Sequence, residues 1–454
     1  MRYTAFRLRT PNIVPSVNLI RLTRTSLRSA ARNIHGAGTA RQARAALAAG
    51  AGLGAVIVAV ALGVAFSSDP SSSSSSSKAG RPAASTEAPV NGLVKHWGTF
   101  FGGAKGVNYD TSLEPVPVTV PGPIAQIATS NSTEYALLTN GALYAWGLGA
   151  QGEFGDGKLV NSFTRPVRVQ FPKGVKIASI PIDVEPFDSA IAIDTKGNVW
   201  GWGHNGGGEL CQGNRRTYTR PVKLPFSHVT ALAGASNHDL YDANGTVYAC
   251  GQNLADSLGD GSTHNSTTPV IVAGLDGKLV TQLVTSFANS GALLSNGEYY
   301  DWGYDGNGQL GDGKIRKNSD VPVLVHLPEP VTQVALGGSI WGNGQTLVIL
   351  SDGSMWSWGD DAYYQLGTGR AGQEASPVQF HAPSGVTYQT IATGSATSYA
   401  VTSTGQVYAW GVSFVGQVGN GTYHTARNPV LIASGATAIS ATANNVLIAV
   451  SKSL

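Results

Sequence analysis

Residues 147–152, Gly-Leu-Gly-Ala-Gln-Gly, carry the G-x-G-x-x-G spacing of a dinucleotide-binding turn directly behind the strand-like run Ala-Leu-Tyr-Ala-Trp (142–146). That chemistry needs more than three glycines. A helix must open in the motif so that its first N–H groups meet a pyrophosphate, and an acid about 20 residues on must hold the ribose. Here the chain runs into Gly155, Gly157 and Pro166, and no acid lies between Asp156 and Asp183. The nucleotide reading is set aside. None of the nine histidines has an H-x-x-x-H partner, and neither cysteine has a histidine nearby. There is no G-x-S-x-G elbow and no phosphate-binding P-loop. Asp305, Asn307, Gln309 and Asp312 resemble a calcium loop, which would have to end in a bidentate acid. Asp156 and Asp260 stand where Asp312 stands in neighbouring units, so a turn role is expected instead. No catalytic residue, cofactor or metal is expected.

What must position these residues is a Gly-rich, charge-poor chain. Fifty-eight glycines and only 13% charged residues, with 42% hydrophobic residues to fill a core, suggest many short strands joined by tight turns. The net charge of +3 hides an asymmetry. Residues 1–68 hold nine of the thirty basic residues and no acid, which leaves twenty-one bases against twenty-seven acids in the rest. An excess of six acids argues against nucleic acid as a partner, because phosphate binding needs clustered Lys and Arg. Cys211 and Cys250 are too few for a disulfide framework. Two separate buried thiols are expected rather than a bridge.

Three segments precede the body. Residues 1–44 form a basic tail, and residues 45–66 are 22 residues without a charge, enough as a helix to span a hydrocarbon core. Arg41 and Arg44 flank one end and Asp69 the other, which places the N-terminus in the cytoplasm and the body outside. An uncleaved signal-anchor is expected, with a cleaved signal peptide or an organelle transit peptide as alternatives. Residues 67–90 are a Ser/Pro-rich spacer with nothing to bury.

From residue 91 to 454 one line recurs: GLVKHWG, GALYAWG, GNVWGWG, GTVYACG, GEYYDWG, GSMWSWG and GQVYAWG. The closing pairs begin at Trp97, Trp146, Trp202, Cys250, Trp302, Trp358 and Trp410, at intervals of 49, 56, 48, 52, 56 and 52 residues. Seven copies with a period of about 50 predict an all-β, seven-bladed β-propeller of four-stranded blades. Asn140-Gly141 and Asp352-Gly353 predict type I′ hairpins within it. The body opens on a Trp-Gly strand and ends on NVLIAV (445–450), the strand that should precede one. The last blade is therefore expected to join residues 436–451 to residues 91–120.

The line Gly-x-Val-Tyr-x-Trp-Gly, then Gly-Gln-Leu-Gly, then Pro-Val, resembles the regulator-of-chromosome-condensation repeat family, in a bacterial-type anchored or secreted form. Cys250 in place of tryptophan, and GTFFGGAKG (98–106) in place of the Gly-Gln-Leu-Gly loop, depart from it. The resemblance implies a seven-bladed propeller and gives His238 a packing role. It also offers two functions, nucleotide exchange on a small GTPase and inhibition of a secreted β-lactamase, neither carried by a residue motif here.

The loops after the Trp-Gly pairs should emerge on one rim. Aromatic residues there, Tyr304, Tyr363, Tyr364, Phe414, Phe100 and Phe101, would form an arc over four blades, and Trp341 sits in an insertion of the fifth unit. Such an arc predicts a protein-binding face. A cell-envelope structural or carbohydrate-binding role is the alternative, and ring packing over the sheet edges is the plainer one.

Overall fold

A computed structural model describes residues 92–102, 107–130, 132–180, 189–234, 237–338 and 342–451, with backbone alone for 101, 102 and 107–109. The basic tail, the expected anchor at 45–66 and the spacer at 67–90 lie outside the described residues. Among the described residues no helix is long and apolar enough to cross a membrane.

Among the described residues twenty-eight strands pair into seven antiparallel sheets of four. Blade 1 holds Ile124–Thr129, Thr133–Leu138, Leu143–Gly147 and Ser162–Arg168, from the central axis outward. Blades 2 to 6 repeat this order through outer strands Tyr218–Ser227, Ser266–Ile271, Asn318–Val325, Gln373–Phe380 and Ala426–Ala433. Blade 7 takes Ala436–Ala441 and Asn445–Val450 from the end of the chain and Gly92–Gly102 and Val107–Val120 from its beginning. Leu93 pairs with Val450 and Gly98 with Asn445, so the expected clasp is present.

Burial explains the strand types. Second strands such as Thr133–Leu138 and Gln345–Leu350 are buried along their whole length, because a neighbouring blade covers each face. Outer strands are half-buried to exposed over most of their length and carry Pro166, Pro221, Pro269, Pro322, Pro377 and Pro429, a residue with no ladder donor to lose on an edge. In blade 1 the ladder between third and outer strands shifts register between Ala145 and Gly147, at Trp146, and blades 3 to 6 shift at the same place. The hairpins differ from expectation. Only Gly141 and Gly353 have positive φ, 81° and 80°, while Asn140 and Asp352 do not, so these are not type I′ turns. The Gly141 N–H donates to Leu138 O across a three-residue turn that ends in the left-handed glycine. The two-residue loop Asn244-Gly245, with φ 56° and 76°, is the one with positive φ at both positions.

The junctions between blades share one device. The indole N–H groups of Trp202, Trp302, Trp358, Trp410 and Trp97 donate across each junction to Glu153 O, Ser257 O, Gln309 O, Gln365 O and Gln417 O, at 2.8–3.0 Å. Two residues on, a left-handed glycine makes room for the ring. A Cβ on Gly259 (φ 67°) would stand 2.5 Å from Trp302 Nε1, and one on Gly311 (φ 64°) 2.7 Å from Trp358 Nε1.

Two junctions depart from this pattern at the residues that break the sequence repeat. At blades 2 and 3, Cys211 stands in the glycine position and Cys250 in the tryptophan position. The two form a disulfide with Cα atoms 5.5 Å apart, 39 residues apart in sequence, which corrects the expectation of separate thiols. At blades 7 and 1, Trp146 meets a loop without the Gln-Leu-Gly carbonyl. The fully buried Glu134 fills the gap, with His96 Nδ1 3.8 Å from its Oε1. Burial pushes the Glu134 carboxyl well above its usual range, opposed by the Trp146 N–H, and burial lowers the His96 imidazole.

Glu153 gives a testable pH effect. Its Oε2 accepts the Gln151 N–H at 2.7 Å, as the Oε1 atoms of Gln309, Gln365 and Gln417 accept the equivalent N–H groups in blades 4 to 6. Burial pushes the Glu153 carboxyl up to about 7, against two backbone hydrogen bonds that lower it. A folded-state value above the unfolded one means stability is present at low pH and is lost as pH rises from about 4.5 through 7. Glu153→Gln keeps the N–H acceptor and removes the ionisation. Its advantage over the wild type is expected to grow by about 3 kcal/mol between pH 4.5 and 8, read from denaturant midpoints at each pH.

Candidate functional site

In every blade the turn from inner to second strand and the loop from third to outer strand lie at the same end. The hairpins and blade-to-blade connections lie at the other. The first described residue, Gly92, begins a third strand and Val450 ends a second strand, so the described body begins and ends at the hairpin end, opposite the loops.

The loop end brings together part of the expected arc. Tyr363 of blade 5 and Phe414 of blade 6 meet edge to face, with ring centroids 5.5 Å apart at 87°, and Phe414 is 62% exposed. Beside them Tyr364 is half-buried, held at a φ of 66°, and takes the Arg427 guanidinium 5.0 Å from its ring centre. Tyr304 of blade 4 is half-buried against Gly306 and Gly342. Burial raises its hydroxyl, with Asp360 and Asp305 adding to the effect.

Phe100 does not join the arc. It is fully buried against Phe163 and His96, with Gly147 beneath it, and fills the junction left by the missing Gln-Leu-Gly loop. The Phe101 side chain and Trp341 lie outside the described residues. The chosen signal, an aromatic just after Trp-Gly, also missed the loop tips. Leu159, Val160, Ile315 and Tyr423 are between 51% and 58% exposed there, past the Gly-x-Gly turns at 155–157, 311–313 and 419–421.

The acids of these loops are consumed by the backbone. Asp305 Oδ1 accepts the Leu310 N–H, Asp361 Oδ1 the Leu366 N–H and Asp312 Oδ1 the Lys314 N–H. The calcium-like spacing is thus a turn scaffold. Burial pushes Asp305, Asp360 and Asp361 each up to about 6.

One constellation has the spacing of a nucleophile relay. His238 Nε2 lies 2.7 Å from Ser290 Oγ, and its Nδ1 lies 2.9 Å from Asn237 Oδ1. All three residues are at most 3% exposed, and Ser290 Oγ also donates to Ser257 O at 2.8 Å, the carbonyl that holds Trp302. Burial lowers the imidazole to about 3, so it is neutral. The relay ties blade 3 to blade 4 within the buried core.

A closed seven-bladed propeller whose tryptophans bond across the blade junctions, with a loop rim opposite the hairpin end, is a protein-interaction architecture. The chain carries Regulator of chromosome condensation (RCC1) repeats, matched at residues 140–181, 296–340 and 352–401. Each match begins in a hairpin and ends in the next blade, so the sequence repeat straddles a junction.

Among its relatives is E3 ubiquitin-protein ligase HERC2 of Homo sapiens, 26% identical over 358 residues, covering 76% of this chain and 7% of that protein. Another is the ultraviolet-B receptor UVR8 of Arabidopsis thaliana, 26% identical over 246 residues, 53% of this chain and 54% of the receptor. The chain therefore spans about half or less of these relatives. In fold it is similar to Prp20p of Saccharomyces cerevisiae, whose binding to Gsp1p and histones has been characterised. That match has a TM-score of 0.68 and 20% identity, and covers 80% of this chain and 93% of that one.

Proposed function

We propose that this chain is a non-enzymatic protein-binding propeller, displayed outside the membrane on a single N-terminal anchor at residues 45–66. The observation that carries the binding role is the exposed Phe414 stacked edge to face on the half-buried Tyr363, flanked by Tyr364 under Arg427, on the rim opposite the hairpin end. Aromatic and Arg side chains at a rim are what protein hot spots are made of. Prp20p, a propeller of the same fold, binds proteins. Two further points support display outside the cytoplasm. The disulfide Cys211–Cys250 belongs to an oxidising compartment. The 24-residue spacer 67–90 would hold the hairpin end roughly 25 Å from the membrane, leaving the rim free.

The test is site-specific photocross-linking in cells that make the full chain. A cross-linking residue at 414 is expected to trap a discrete protein adduct, whereas one at Lys196, in a hairpin of the opposite end, should not. Tyr363→Ala is expected to lower the yield of the position-414 adduct severalfold or more, as loss of a hot-spot side chain worth about 2 kcal/mol would. Adducts of equal yield from both positions would remove the rim from consideration.

A further inference from the structure

The loop rim separates charge in a way the chain as a whole does not. The described body carries more acids than bases. Yet in the third-to-outer loops of blades 1 to 6 the exposed charged residues are Lys158, Arg215, Arg216, Lys314, Lys317 and Arg370, all basic. The acids in those same loops are buried or half-buried, and the turns explain why. Asp156 and Asp312 bend back to accept the N–H two residues on, and Asn214 and Thr368 do the same in blades 2 and 5. The residue whose N–H is held is Lys158, Lys314 or Arg370 at one register in blades 1, 4 and 5, and Arg216 two positions further on in blade 2, so in blades 1 and 4 the turn that sequesters an acid also presents a base outward. Blade 7 breaks the series, because Asp110 and Glu114 are exposed there. The result is a broken basic crescent over blades 1, 2, 4 and 5, with no exposed Lys or Arg in the loops of blades 3 and 6 and an acidic outer strand at blade 7, and at blade 5 Arg370 shares its loop with Tyr363.

We infer that this crescent docks an acidic protein surface, with Phe414 and Tyr363 inserted at one end. The inference rests on the protein-binding reading of the rim and names the chemistry of the partner. A planar anionic bilayer would press on Asp110 and Glu114 as well as on the lysines, and a nucleic acid would need a continuous basic track, so a shaped protein fits best.

The experiment uses the full chain in detergent micelles and three probes: poly-L-glutamate, a 20-base-pair DNA duplex, and phosphatidylcholine vesicles containing phosphatidylserine. Poly-L-glutamate is expected to bind, and to weaken by about tenfold or more between 50 and 200 mM salt. The quadruple variant Lys158→Glu, Arg216→Glu, Lys314→Glu, Arg370→Glu is expected to lose at least about tenfold of that affinity with an unchanged melting temperature. Reversal of Lys173, Lys176 and Lys196, exposed at the hairpin end, should leave it intact. Equal losses from the two sets overturn the proposal, as does tighter binding of the duplex or the vesicles. If the quadruple variant still yields the position-414 adduct undiminished, the partner is a protein but not an acidic one. If position 414 yields no adduct in the unaltered chain, the underlying reading fails instead.

Discussion

A chain truncated after Ile439 is expected to yield no folded monomer. The deletion removes the second strand of blade 7, Asn445–Val450, and the last two residues of its inner strand, Ala436–Ala441. Val446, Leu447 and Ile448 are fully buried, and burying a side chain of this kind contributes about 1.5–3 kcal/mol. Three of them amount to much of the 5–15 kcal/mol that separates a typical domain from its unfolded state. The loss extends beyond packing. Six residue pairs from Leu93–Val450 to Gly98–Asn445 are the only ladder joining the N-terminal strands to the C-terminal ones among the described residues. The ring is then pinned to blade 1 by Thr129, whose N–H donates to Ser440 Oγ at 3.0 Å and whose hydroxyl donates to Asn445 Oδ1 at 3.2 Å. Without the clasp, Gly92–Gly102 and the remnant of the inner strand are left as bare edges, the feature that drives strand-to-strand aggregation. Size-exclusion chromatography should show aggregate, and denaturant titration no cooperative transition. Leu447→Asp, which buries a charge without exposing an edge, should unfold the protein and aggregate less. A soluble truncated monomer with a sharp transition would mean that six blades and a fragment suffice.

The clasp was legible from phase alone, because a repeat that opens on its third strand and closes on its second has no other way to complete a blade. The blade count was legible for the same reason. What the repeat did not show was the fate of residues at its exceptions. Phe100 follows a Trp-Gly pair like Tyr304 and Phe414, and only the three-dimensional gap beside Trp146, where a Gln-Leu-Gly loop is missing, accounts for its burial. Glu134 belongs to the same gap, and the burial that pushes its carboxyl well above its usual range does not show in a charge count. The basic crescent was hidden by that count too. An excess of six acids over the body holds even though Glu153, Asp156 and Glu209 face inward in the loops that hold Lys158 and Arg216 outward. The hairpins at Asn140-Gly141 and Asp352-Gly353 failed on length, since the turn takes in Thr139 and Ser351 and only the glycine needs positive φ.

The cysteines were misread because each was weighed alone. Aligned on the repeat, Cys250 stands for a tryptophan and Cys211 for the glycine that faces it in the preceding blade, so the two exceptions are one. That pairing predicts a double-mutant cycle. Cys250→Ala is expected to cost about 2–5 kcal/mol, and a reductant should cost the wild type about the same, since the bridge closes a 39-residue separation. Cys250→Trp alone sets an indole against the Cys211 side chain, which sits at a φ of 54° where the other junctions have a bare glycine, and overpacking of this kind costs about 1–3 kcal/mol on top of the lost bridge. Cys211→Gly alone leaves a void and an unpaired thiol. The pair Cys211→Gly with Cys250→Trp rebuilds the lock used at five other junctions. The new indole N–H can reach Glu209 O, the equivalent of Glu153 O, which Cys211 Sγ already approaches at 3.8 Å. The double variant is expected to recover all but about 1–2 kcal/mol of the wild-type stability, with a coupling energy well outside additivity. Its melting temperature should be indifferent to reductant, while that of the wild type falls. A wild type equally indifferent would show that the thiols are not joined, and with that the case for an oxidising compartment would lose its physical support.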